Sequence, residues 1–118
     1  MNELTLSNDY YVEPDYNGSF QHGTIFHIAR NKHGGSVSTG VAYFHVWKPV
    51  IHPEGYFPHH RLDCFIKYGE LAPDPAWLAR RLFETLIKHG YIFEPVWLGW
   101  HRSEEIGGEE RGAVFDWD

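Results

Sequence analysis

Asp74 to Gly90 reads DPAWLARRLFETLIKHG, and this stretch decides the fold class. Asp74 is suited to cap a helix by accepting amide hydrogen bonds, and Pro75 fits the first helical position, where its missing N–H would have had no partner. Leu78, Leu82 and Leu86 form one i, i+4 row beside a second row of Ala79, Phe83 and Ile87, so the apolar stripe has helical period. Arg80, Arg81, Glu84, Thr85 and Lys88 fall on the other side. Gly90 suits the residue after the last turn, where the backbone turns left-handed. The pattern predicts a helix over about 75–89.

On either side of this helix the period changes to two. Arg61 to Glu70 alternates, with Leu62, Cys64, Ile66 and Tyr68 pointing one way and Arg61, Asp63 and Lys67 the other, as in a half-buried strand. After the helix, YIFEPVWLGWH (91–101) reads as a strand interrupted by Pro95, with Val96, Leu98 and Trp100 on one face. Upstream, TIFHIARN (24–31) and SVSTGVAYFHVWK (36–48) are rich in β-formers, and His33-Gly34-Gly35 between them predicts a hairpin. The second run carries apolar residues on both faces, which predicts a central strand with Gly40 at a bulge or close approach. A short strand is expected near 8–13. Residues 49–60, with three prolines, are expected to be irregular, and the glutamate- and glycine-rich 103–112 to be a mobile loop. AVFDW near the end reads as a short strand. The sum is an α+β domain over 1–118: an antiparallel sheet of about four to five strands with one helix packed on a face.

At 118 residues with 42% hydrophobic and 17% aromatic content, the chain has enough apolar volume for one core without a metal or disulfide, and the lone Cys64 has no cysteine to pair with. No apolar run approaches the roughly 20 residues a membrane-spanning helix needs. The opening MNELTLSNDYY has no signal-peptide character, so a cytoplasmic location is expected.

Charge narrows the choice of partner. The net charge is −6, but residues 1–20 carry −4 through Glu3, Asp9, Glu13 and Asp15. Residues 103–118 carry −5 through Glu104, Glu105, Glu109, Glu110, Asp116 and Asp118 against Arg111, which leaves +3 for the middle. The basic residues there are scattered, and phosphate neutralisation needs them clustered, so direct nucleic-acid binding is not expected. Acidic ends steer toward a basic protein surface, and Asp9, Glu13, Asp15, Glu104, Glu105, Glu109, Glu110, Asp116 and Asp118 are the candidate partner-binding residues. Trp97, Trp100, Trp117, Phe93 and Phe115, with Tyr10, Tyr11 and Tyr16, could anchor such a contact or simply fill a core.

Nine histidines invite an enzymatic alternative, a small metal-dependent hydrolase built on His52, Glu54, His59 and His60. Their spacing matches no H-E-x-x-H or paired C-x-x-C pattern. His27 and His45 fall out of register in a hairpin centred on residues 34 and 35, so they read as core or edge histidines. Cys64 lies mid-strand on an apolar face and reads as buried, with no catalytic role. The expectation is a non-enzymatic protein without cofactor that blocks a basic, often nucleic-acid-binding, surface. Its small, acidic, single-domain format is shared with toxin-immunity proteins and phage inhibitors such as anti-CRISPR proteins. Self-association within a larger assembly is a third reading.

Overall fold

The structure is a computed structural model that describes residues 3–15, 20–52, 55–57, 59–103 and 109–115. It is an α+β fold with one helix on a mixed seven-stranded sheet. In chain order the elements are β1 (Leu4–Thr5), β2 (Tyr10–Pro14), β3 (His22–Arg30), β4 (Ser36–Trp47), β5 (Val50–His52), β6 (Gly55–Phe57), β7 (His60–Ile66), α1 (Pro75–Lys88), β8 (Val96–Ser103) and β9 (Glu109–Phe115). The large sheet has the order β1-β2-β3-β4-β7-β8-β9, and β5 pairs with β6 in a separate two-stranded ribbon.

The helix forms where its end signals place it. Asp74 Oδ1 accepts from the Trp77 amide at 3.1 Å, Pro75 is the first helical residue, and Gly90 closes the end with φ of +76°. Leu78, Ala79, Leu82 and Leu86 are sealed from solvent and pack on the face of the sheet that carries Phe44, Leu62, Cys64, Val96 and Leu98. The N-terminal segment closes the other flank of α1: Arg81 Nε donates to Leu6 O at 2.5 Å, and the Tyr10 hydroxyl donates to Leu71 O.

Three expectations need correction. The sheet has seven strands where four to five were expected, and it is not purely antiparallel, because β7 and β8 run parallel from His60↔Val96 to Ile66↔Arg102. A helix inserted between two strands carries the chain back along the sheet, so the second strand starts from the same end as the first. Residues 103–112 are not one long loop: β8 continues to Ser103, and β9 begins at Glu109 and pairs antiparallel with it. Its polar first half is tolerated because β9 has a sheet neighbour on one side only. Third, the stretch 49–60 contains the β5–β6 ribbon, and the short β1 beside β2 was not foreseen.

Hairpin register also differs. Asn31 Oδ1 accepts from the amides of His33 and Gly35 at 2.9 and 3.0 Å, and the Asn31 amide donates to Gly35 O, so the turn centres on His33. Arg30 then faces Ser36 and His27 faces Thr39. A register shift beside Phe26↔Gly40, next to the glycine expected at a bulge, places His22 opposite His45. His27 and His45 are indeed not opposed.

Candidate functional site

One face of the sheet is filled by α1 and the core. Strand alternation assigns the residues of the opposite face. The register links Glu13, Thr24, Tyr43, Phe65, His101 and Arg111 in one line across six strands. Beside it run His22, His45, Asp63 and Gly99, and then Trp47, Arg61 and Trp97. Tyr43 is 56% and Trp47 52% exposed, so this face is open to solvent.

Rings on this face stack on one another. Tyr43 stacks on Phe65 and Phe65 on His101, each with 4.8 Å between centroids and planes within 16°. That spacing equals the distance between neighbouring strands, about 4.8 Å, so the three rings stand upright in a ladder with their edges toward solvent. His22 stacks on His45 at 5.7 Å, and His45 meets Trp47 at 3.9 Å. Trp97 lies across Gly99, where a Cβ would collide with its ring, and the Arg61 guanidinium sits 4.6 Å above Trp97.

Asp63 ties the lines together. It lies on the open face, yet its side chain is only 5% exposed, because three neighbours cover it. Oδ2 accepts from Trp47 Nε1 at 3.1 Å and from Arg61 Nε at 2.9 Å, and Oδ1 from His101 Nε2 at 3.0 Å. Charge-assisted bonds of this kind fix side chains that would otherwise rotate freely, so the carboxylate sets the rotamers of a tryptophan, an arginine and a histidine from three strands. His45 has its pKa lowered, first by burial and then by His22, with Asp63 opposing. Cys64 points to the other face, fully buried, and burial followed by the Asp63 charge pushes its thiol up to about 12. At neutral pH it is a protonated core side chain.

The predicted partner-binding residues divide. Asp9 is exposed and lies 3.8 Å from Arg30. Glu13 is half-buried on the open face. Asp15 pairs with His22 Nδ1 at the rim of that face. Glu109 and Glu110 lie in β9 opposite Ser103 and Arg102. Glu104, Glu105, Asp116 and Asp118 lie outside the described residues, as does Glu54. Strands β1 and β2, which lie within the stretch carrying −4 and of whose acids β2 holds Glu13, and β9, which lies within the stretch carrying −5, are at opposite edges of the sheet. From β2 to β9 is five strand steps, about 24 Å at about 4.8 Å per step.

Among the residues of the metal reading, His60 Nδ1 lies 3.0 Å from Phe93 O, while the side chains of His52 and Glu54 are outside the description. Among the described residues no group of three His, Cys, Asp or Glu side chains is placed to hold an ion. No helix among them is long and apolar enough to cross a membrane. Sequence reasoning missed Asp63, His22 and His101. Alternation puts Asp63 on the outward face, where a carboxylate reads as solvated, and nothing local announces the partners that bury it. Trp100, grouped by sequence with Trp97 and Trp117, packs against the core, Trp97 lies on the open face beside Trp47, and Trp117 lies outside the described residues. Comparison with known proteins finds no matching family model, no matching curated protein and no matching solved structure.

Proposed function

We propose that the chain is a small non-enzymatic binding protein that seats the open face of its sheet on a basic surface of another protein and blocks it. The surface it fits best is one that otherwise holds nucleic acid. The observation that carries this reading is the placement of charge around the rings: one exposed aromatic face, fixed through Asp63, lies between an edge belonging to the −4 segment and an edge belonging to the −5 segment. Aromatic side chains in rigid settings are the usual anchors of protein contacts, and flanking carboxylates steer a basic partner into place.

Two features favour a protein partner over a nucleic acid or a second copy. Single-stranded nucleic acids bind by laying bases on open ring faces. Here Phe65 has Tyr43 on one side and His101 on the other, and Trp97 is held between Gly99 and Arg61. Two copies placed face to face, aligned or turned end for end, would set acidic edge against acidic edge, which costs free energy.

Passing a cell extract of the native host over the immobilised chain, with mass spectrometry of what is retained, tests the reading. The expected result is retention of a basic protein that salt releases and added nucleic acid displaces. Retention of nucleic acid itself, or one tightly held metal ion per chain in the same preparation, would contradict it.

A further inference from the structure

We propose that Arg102 is an oxyanion-binding residue, placed to grip a carboxylate or a phosphate group where the parallel strands β7 and β8 end. Arg102 is 9% exposed, and among the described residues neither its Nε nor its Nη2 has a hydrogen-bond partner. These two atoms form one edge of the guanidinium, a fork of two parallel donors that matches two oxygens of a carboxylate or phosphate. Buried donors are ordinarily satisfied, and a buried cation needs a counter-charge, so an arginine with this edge unpaired points to an acceptor of complementary shape.

The surroundings hold the fork ready. Arg102 lies beside Ile66 at the end of the β7–β8 pair, on the face that α1 covers and away from the aromatic surface. The Tyr68 ring sits 5.3 Å from the guanidinium carbon, so a ring contact takes one flat side of the group and leaves its donor edge available. Tyr68, whose ring contacts the guanidinium, is itself 37% exposed and also lines a surface pocket with Lys67, Thr39, Gly40, Val41 and Leu71, a lining that does not include Arg102. On β9 the register partner of Arg102 is Glu110.

Calorimetric titration of the whole chain with inorganic phosphate, and separately with acetate, at an ionic strength held constant with chloride, tests the proposal. Saturable binding of one anion per chain is expected, and which of the two binds names the chemical class. Arg102→Lys keeps the charge without the fork and should weaken binding about tenfold. Arg102→Met should abolish it, and if that variant fails to fold, the lysine variant carries the comparison. No binding of either anion would overturn the proposal, as would equal binding by wild type and Arg102→Lys. Binding seen only in Glu110→Gln would assign the fork to Glu110 and overturn it equally.

Discussion

His101 Nε2 lies 3.0 Å from Asp63 Oδ1 across the parallel β7–β8 pair, and because a carboxylate only accepts, this nitrogen carries the proton. The bond joins the aromatic ladder, which ends at His101, to the Trp47 and Arg61 side chains held by the other oxygen. Asp63→Ala should therefore cost about 1–3 kcal/mol: Arg61 and Trp47 are about half exposed and can turn their donors to water, but the more buried His101 loses the acceptor that Oδ1 gives it. Urea unfolding checks this. A loss under about 0.5 kcal/mol, the size of an ordinary surface change, would show that Asp63 does not organise the face.

Leu82→Ala should cost about 2–5 kcal/mol, since Leu82 is fully buried at the centre of the helical row against the sheet. An unchanged denaturation midpoint would mean that the row does not face the core.

What was legible before the structure follows from how local each signal is. The bounds of α1 rest on Asp74, Pro75 and Gly90, all within or beside the helix, and came out within a residue. The inward faces of β7 and β8 follow from alternation, and Leu62, Cys64, Ile66, Val96 and Leu98 are buried as that requires. Pairing partners are set by distant residues, so the parallel β7–β8 pair and the polar strand at Glu109 were not legible. The hairpin centre moved because one side chain, Asn31, bonds two amides in the turn. Asp63 was the largest omission, since its burial is created by side chains from β4, β7 and β8.

Cys64 should resist thiol reagents in the native protein and react quickly once unfolded. Its pKa is raised from 9.0 to about 12 by burial and Asp63, so the stability it contributes is complete below about pH 9 and is lost as pH rises toward 12. Cys64→Ala should flatten that alkaline decline in unfolding experiments. Rapid native labelling would contradict the buried assignment.

His45 acts at the other end of the scale. Its pKa is lowered from 6.5, chiefly by burial, so folding favours the neutral ring. The stability it contributes is present above about pH 6.5 and is lost as pH falls through the depressed value. His45→Gln should reduce the slope of unfolding free energy against pH in mildly acidic buffers. A slope equal to wild type would remove His45 as a source of acid sensitivity.

Tyr43→Ser separates binding from folding, because Tyr43 is 56% exposed and no bond to Asp63 depends on it. Stability should change by less than about 1 kcal/mol, while affinity for the retained partner falls about tenfold or more, the usual loss at an aromatic anchor. Unchanged affinity would place the contact elsewhere on the molecule.

The binding account is tested most directly by the association rate of the chain with its retained partner, measured across a salt series for wild type and for a variant with Asp9, Glu104 and Glu105 changed to lysine. Glu109 and Glu110 are left intact in that variant because they belong to β9. The wild-type rate should fall as the Debye length shrinks from about 10 Å at 0.1 M to about 3 Å at 1 M salt. The variant should associate more slowly at low salt, converge with wild type at high salt, and keep its far-ultraviolet circular dichroism. An association rate indifferent both to salt and to the three reversals would contradict electrostatic capture by the acidic edges.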